Sequence, residues 1–466
     1  MSQSLRPILL FAAMAAALLA VGFGQGWPVM LVILNLCLIS AVMSVGLNMQ
    51  WGYAGLFNAG VMAFVAVGGM VAVLISEPPV MVGWEAGGAR ILVAGVMVAT
   101  FSGLIYALRR FISRRWIKNW GTAALLVAAY FIIRPVFEGG VTAVESIAAA
   151  SAGNLGGLGL NILVSWVVAA VVCMGVAWVI GRIALGLRAD YLAIATLGIS
   201  EIVVAVAKNE EWLTRGVKNI TSLKRAPVPR ETNLQQAEWF QNLVSTLSGT
   251  NPGDAGFKTT VIEASSIFVK LCFTGLFTIV LGIVLFLAIR ALNSPWGRMM
   301  RAIRDNDVAA SAMGKNVVRR HREVFIVGAA ILGVSGAMLT TLDGQFTPTG
   351  YQPLRYTFLI WVMVIVGGSG NNLGAVLGGF VIWFFWIEAE VAAQWISVNM
   401  EKVLTPYLDV VLISLGEGSL KVQHGVTWLK NAAPHFRYLL MGMVLLLALR
   451  FSPRGLIPEA GAARAH

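Results

Sequence analysis

Charge is scarce in this chain. Only 12% of its 466 residues are Asp, Glu, Lys or Arg, about half the ~25% of a soluble domain, which excludes an ordinary water-soluble globule. Cysteine is nearly missing too. Cys37, Cys173 and Cys272 each fall inside an apolar run and read as packing residues, leaving no disulfide framework or metal site. The histidines His321, His424, His435 and His466 form no H-E-x-x-H and have no cysteine companions, so a membrane metalloprotease is unsupported. No G-x-x-x-x-G-K-[ST] occurs, so the chain holds no ATP by a P-loop, and no G-x-S-x-G elbow marks a hydrolase. The expectation is a protein that performs no covalent chemistry and binds no cofactor of its own.

Apolar residues are what is abundant. They make up 58% of the chain, and the mean hydropathy is +0.79. Runs near the ~20 residues that cross a bilayer recur along most of its length. We place about twelve, near 7–23, 28–47, 55–76, 91–108, 120–137, 159–181, 189–207, 267–289, 323–343, 355–368, 374–388 and 436–450. The fold class expected is an all-α polytopic membrane protein. The first run follows Arg6, lacks a clear A-x-A site and is followed at once by a second run at Pro28, so a retained helix is expected in place of a signal peptide.

Basic residues give the orientation. Arg6, the cluster Arg109, Arg110, Arg114, Arg115 and Lys118, the pair Arg182 and Arg188, the loop 290–322, and Arg450 with Arg454 all fall on one side. The positive-inside rule makes that side cytoplasmic, with both termini there. Arg134, beside Pro135 near an outer end, stands against the pattern. The net charge of +12 thus belongs largely to short loops and is no nucleic-acid footprint.

The loop 290–322 carries Arg290, Arg298, Arg301, Arg304, Lys315, Arg319, Arg320 and Arg322 against Asp305 and Asp307. From Gly297 to Gly314 its pattern is helical. Met300, Ile303, Val308, Ala309, Ala312 and Met313 form an apolar stripe beside Arg298, Arg301, Arg304, Asp305 and Asp307. An amphipathic helix at the membrane face is a docking element for a cytoplasmic partner, or a topogenic segment lying on headgroups.

Two further stretches are polar and read as external. Residues 208–266 have near-balanced charge with prolines and glycines, a small folded insertion or partly ordered loop. Residues 389–435, with Trp395, Tyr407 and Trp428, read as amphipathic helices on the outer surface. They divide the chain into 1–207, 208–266, 267–388 with the basic loop, 389–435 and 436–466.

Polar groups within apolar runs are few. Glu201 sits in LGISEIVVAVA, where a charge at the bilayer centre costs ~2.5–3.5 kcal/mol on insertion scales. It lines a pathway or braces a gate, unless the helix is offset and it approaches the outer interface. Asn48, Tyr53 and Asn58 interrupt the region between the second and third runs among Gly52, Gly55 and Gly60. They indicate irregular backbone enclosed by protein or water, or plain helix-to-helix hydrogen bonding. Gly367, Gly368 and Gly370 break an apolar stretch as a short cytoplasmic turn, and Gly374 with Gly378 make a small-xxx-small packing face. Gly328, Gly333 and Gly336 form a similar thin face.

Four stretches together resemble a known family: LNMQWGYAGLFNAGVMAF (47–64), LRADYLAIATLGISEIV (187–203), SPWGRMMRAIRDNDVAASAMGKNV (294–317) and IVGGSGNNLGAVLGG (365–379), with FSPRGLI (451–457) near the C-terminus. They are similar to the permease subunit of branched-chain amino-acid ABC importers, LivM type, a family shared with urea-type permeases. The 100–150, 208–266 and 389–435 regions exceed its compact core. The resemblance implies that Gly297 to Gly314 is a coupling helix. Gly297 would allow the turn into it. Arg298, Arg304 and Asp305 would make polar contacts in an ATPase groove, with Arg301, Asn306, Met313 and Gly314 among the coupling residues. Ala302, Ala309 and Ala310 would let it seat closely. Asn48, Tyr53, Asn58, Thr196 and Glu201 are the candidates for the substrate pathway. Implied partners are a second permease subunit, two cytoplasmic ATPases carrying ATP and Mg, an external solute-binding protein and the bilayer of a bacterial inner membrane. The substrate would be a branched-chain or related amino acid, with urea or a short amide as the alternative. A stand-alone proton-coupled transporter using Glu201 is the rival from another class. It should show an inverted repeat, and no convincing second copy of the Glu201 segment is present.

Overall fold

A computed structural model describes residues 5–147, 153–216, 219–221, 223, 225–249, 254, 256–414 and 420–459. They form a helical bundle, in which each of the twelve apolar runs overlaps a helix.

The N-terminal region opens with α1 (Leu5–Gln25), α2 (Trp27–Gln50) and α3 (Val61–Ser76). Gly26, at φ 107°, separates the first two, and a proline in the first turn of α2 supplies the fixed φ a helix start wants. The run near 55–76 is helical only from Val61, because residues 51–60 spend their polar groups on irregular turns.

A short α4 (Met81–Gly83) passes through a π turn (Trp84–Gly88) into α5 (Ala89–Phe111), which turns back as α6 (Arg115–Glu145). These two helices pack on each other and little else. Their stem is closed where Pro79 bridges Gly156 and the Val80 amide donates to the Leu155 carbonyl at 3.0 Å. Next come α7 (Ile162–Ala184), whose N-cap Asn161 accepts from the Leu163 amide, α8 (Ala189–Asn209) and the single turn α9 (Glu211–Thr214).

The polar stretch is folded. It contains β1 (Ile220–Thr221), α10 (Glu231–Gln236) and α11 (Glu238–Ser248), and it ends earlier than the sequence implies, because α12 (Phe257–Asn293) starts at 257. Val261, Ser265, Val269, Phe273, Phe277 and Leu281 recur every four residues and are the buried seam of α12. Two short helices, α13 (Pro295–Asp305) and α14 (Asp307–Ala312), lead into α15 (Val317–Asp343). Its C-cap Gly344 is left-handed, and β2 (Gln345–Phe346) then pairs antiparallel with β1, Ile220 opposite Phe346.

The chain finishes with α16 (Pro353–Gly367), α17 (Asn372–Ser414) and α18 (Leu420–Phe451). Helix α17 continues past 388 without interruption. Residues 389–405 contain neither glycine nor proline, so nothing ends the helix where the apolar run gives way to polar residues. The separate surface helix expected from 389 is the extension of a 43-residue helix.

Among the described residues, nine helices are long and apolar enough to cross a membrane, with 81–111 taken as one, and α3 and α16 are shorter apolar helices. The core is built on α2 and α15. Helix α15 packs against α2, α3 and α7, and α17 against α2, α16 and α18. The thin face of α15 serves different neighbours. A Cβ on Gly336 would stand 2.0 Å from the Val65 carbonyl oxygen of α3, and one on Gly68 of α3 would stand 1.9 Å from that of Gly333. Only hydrogen fits at these crossings.

Candidate functional site

The basic loop meets the bundle at one end, where four chain segments converge. Ser294 leaves α12 in extended conformation, and Pro295 starts α13. Gly297 lies inside the first turn of α13, and a Cβ there would come within 2.2 Å of the Leu292 carbonyl oxygen. Its role is a close approach to the end of α12. Met300 and Ile303 are buried in the bundle, so two of the six residues of the expected apolar stripe face the protein itself. Arg301 Nη2 donates to the Leu292 carbonyl at 3.2 Å and Arg298 Nη1 to that of Asn293 at 3.3 Å. Both cations thus cap the C-terminal carbonyls of α12.

The helical pattern from Gly297 to Gly314 is two helices, not one. Asn306 leaves the helix at φ −161°, ψ 100° and caps α14, its Oδ1 accepting from the Ala309 amide at 2.9 Å. Gly314, at φ 76°, ends the excursion. Val308 and Met313 are 75% and 80% exposed, and Ala302, Asp305 and Ala309 are exposed with Ala310 partly so. The loop therefore has an anchored half, α13, and a free half, α14.

Arg304 is the knot between them and the bundle. Its Nη1 donates to the Gly52 carbonyl at 2.5 Å, lies 3.1 Å from Glu459 Oε2, and its Nε is 3.2 Å from Asp305 Oδ1. Partial burial works against its charge, but Glu459 and Asp305 outweigh this and hold the guanidinium above its ordinary range. From Glu459 the chain runs back along the 367–372 turn. The Leu456 and Ile457 amides donate to Val366 and Gly367, and Asn371 Nδ2 to Pro458. Gly368 and Gly370 have positive φ there, and Gly374 and Gly378 press against Gly367 and Met363 of α16. From the other side, Asn48 Oδ1 accepts from the Gly370 amide at 2.9 Å while its Nδ2 donates to Asn372 Oδ1 at 3.1 Å. Glu323 holds the loop's far end through Trp296, Arg319 and Arg320. Glu459, Glu323, Asn371 and Gln50 were not singled out from sequence; an acid close behind FSPRGLI was the available signal for the first.

The pathway candidates separate into two places. Asn48, Asn58 and Thr196 come together around 51–60. Asn58 Nδ2 donates to Gln50 Oε1 at 2.8 Å, Gln50 Nε2 to the Phe325 carbonyl at 3.0 Å, and the Ala59 amide to Thr196 Oγ1 at 3.1 Å. All are buried, as is Tyr53, whose amide donates to the Asn48 carbonyl. This network holds α2, α3, α8 and α15 together. Glu201 is elsewhere. It is exposed on α8 and borders a cavity of about 740 Å³ with Lys208, Arg355, Phe358, Trp386 and Tyr438. Among the described residues no cluster of His, Cys, Asp and Glu is arranged to hold a metal.

The profile of a family described as the permease component of branched-chain amino acid transport systems matches residues 136–449, from within α6 to within α18. Individual proteins are similar as well. A probable branched-chain amino acid transport permease protein LivM of Methanocaldococcus jannaschii is 28% identical over 188 residues, 38% of this chain and 46% of that protein. The high-affinity permease protein LivM of Escherichia coli (strain K12) is 26% identical over 313 residues, 67% and 68% of the two chains. LivH of the same organism is 29% identical over 147 residues, 30% of this chain and 46% of LivH. The chain spans about half the length of the curated relatives it matches, and about two thirds of Escherichia coli LivM. No solved structure matches significantly.

Proposed function

The chain belongs to the family of permease components of branched-chain amino acid transport systems, and from that premise we propose that it is the membrane-spanning subunit of an ATP-driven importer for branched-chain or related amino acids. The observation that carries the coupling part of this reading is the Arg304 knot. One exposed helix, α14, is joined through one anchored helix, α13, to the α2–α3 connection, the α16–α17 turn and the tail.

In this reading two cytoplasmic ATPase subunits, which hold the ATP and Mg, dock on the exposed apolar side chains Val308 and Met313. Their closure displaces α14. Because Met300 and Ile303 seat α13 in the bundle and Arg304 ties it to two other segments, the α2–α3 connection and the tail, the displacement reaches several spans at once as a rigid movement. The chain itself supplies no chemistry. Twelve crossings with both termini and the basic loop in the cytoplasm fit the charge pattern. A second permease subunit similar to this one would complete the pathway, and an external solute-binding protein would deliver cargo to a bacterial inner membrane.

The test is purification from the native membrane followed by reconstitution. Two P-loop ATPases and a second permease should co-purify, and the complex should take up labelled leucine only with ATP. Arg304→Glu sets a carboxylate against Glu459 and the Gly52 carbonyl. It should lower ATP-driven uptake by about tenfold or more, on the scale of a coupling free energy, while the subunit remains inserted. A protein that purifies alone at full yield, or wild-type uptake by Arg304→Glu, overturns the reading.

A further inference from the structure

The cavity beside Glu201 holds a cation that makes no ion pair among the described residues. Arg355, in the first turn of α16, has its guanidinium carbon 5.0 Å from the ring centres of Trp386 on α17 and Tyr438 on α18, and 5.4 Å from Tyr356. Three rings from three helices thus fix its position through cation–π contact. They engage its faces and leave its N–H groups unused. Nε is buried with no hydrogen-bond partner, and among the described residues no carboxylate pairs with it. Arg437 makes the contrast. It lies 5.3 Å from the same Trp386 ring and is ion-paired with Glu390.

An arginine held in place, shielded on its faces and lacking an acid is costly unless its fork of donors meets a carboxylate from elsewhere. A guanidinium matches a carboxylate with two parallel hydrogen bonds. Across the same cavity Glu201 presents the opposite charge from α8, and the two do not pair with each other. The space between them, about 740 Å³ in all, is of the size of small-molecule sites. Phe358, one turn beyond Arg355, and Trp386 give it an apolar wall.

We propose that this cavity is a subsite for the zwitterionic head of a free α-amino acid, its carboxylate taken by Arg355, its ammonium by Glu201, and its aliphatic side chain laid against Phe358 and Trp386. The proposal rests on the importer reading and adds to it a place where the permease itself holds the solute. Neither the deaminated acid nor the decarboxylated amine satisfies both charges, so each binds poorly.

The experiment measures equilibrium binding of tritiated leucine to the purified complex of the chain with its co-purifying subunits, followed by ATP-driven uptake after reconstitution. Unlabelled leucine should displace the label, while 4-methylpentanoate and 3-methylbutylamine should do so only weakly. Arg355→Met and Glu201→Gln should each weaken binding by about tenfold or more, the loss expected when one charge of the bound zwitterion is left without its partner. Arg355→Lys, which keeps charge and stacking but loses the fork, should retain part of it. If Arg355→Met fails to assemble, Arg355→Lys and Glu201→Gln decide the matter. Wild-type leucine binding in assembled Glu201→Gln and Arg355→Lys, with ATP-driven uptake intact, overturns the subsite and leaves the importer standing. Absence of ATP-dependent uptake in the unmutated complex overturns the importer. A phospholipid retained in native mass spectra of the wild type, lost in Arg355→Met and not displaced by leucine, overturns the subsite in favour of a lipid headgroup.

Discussion

The apolar 18-residue stretches of α2 and of the 81–111 helix that contains α5 have nearly the same mean hydropathy, 2.4 and 2.2, yet 72% of the residues in the first are buried in the protein and 6% in the second. The same contrast separates α15, at 67%, from α6, at 6%. Apolar character decides that a segment crosses; it does not decide what the segment touches once across. The polar side chains make the difference. On α2, Asn35 Nδ2 donates to the Lys270 carbonyl, Ser44 Oγ to that of Ala375 and Gln50 Nε2 to that of Phe325, each on another helix. On α5, Thr100 Oγ1 donates to the Val96 carbonyl of its own helix. A polar group in lipid must find a partner; these three of α2 find theirs on other helices, whereas Thr100 finds its own on α5.

The sharpest way to break this comparison is to place the same side chain in both regions. Gly68→Leu forces a branched chain into the Gly333 backbone, whereas at Gly95 on α5 an added Cβ meets nothing within 4 Å, so Gly95→Leu starts into open space. The first should abolish recovery of monodisperse protein in size-exclusion chromatography, and the second should leave it at wild-type yield. Equal damage from both would mean the outer hairpin is packed as tightly as the core. Next in size is Asn48→Leu, which strands the buried Gly370 amide and the Asn372 side chain. It should cost about 1–3 kcal/mol, read as a lowered melting temperature of the purified protein. An unchanged melting temperature would remove Asn48 from the structural network. The smallest effect belongs to Arg134→Leu, which deletes an exposed i,i+4 pair with Glu138 on α6. Its melting temperature should be indistinguishable from wild type, and a clear drop would assign the hairpin a role the core does not share.

Much of this architecture was legible in the sequence, because it depends on local composition. Every apolar run overlaps a helix, although the one near 55–76 is helical only from Val61. The crossing glycines on α15 and α17 were visible as small-residue faces, although which neighbour each meets was not. The break at Asn306 had its own signal, an Asn followed by Asp307 in the pattern of an N-cap, but the apolar stripe running through it concealed the interruption. What sequence could not reveal are unions between distant segments. Arg304 and Glu459 are 155 residues apart, an interval plain from their numbers. Arg355 stood at the start of an apolar run with no motif around it, and its meaning depends on rings supplied by two other helices. Glu201 was conspicuous as a charge in an apolar run, while Asn48, Asn58 and Thr196, grouped with it, belong to a different place.

The closed stem at Pro79 and Gly156 has a consequence for how such a chain can change. Helices α5 and α6 leave the bundle and come back to the point of departure, so the detour adds an outbound and a return leg. An even number of legs leaves the sidedness of everything downstream untouched. The hairpin is therefore a cassette, free to lengthen, shorten or acquire a new outer surface while α3, α7 and the basic loop keep their address.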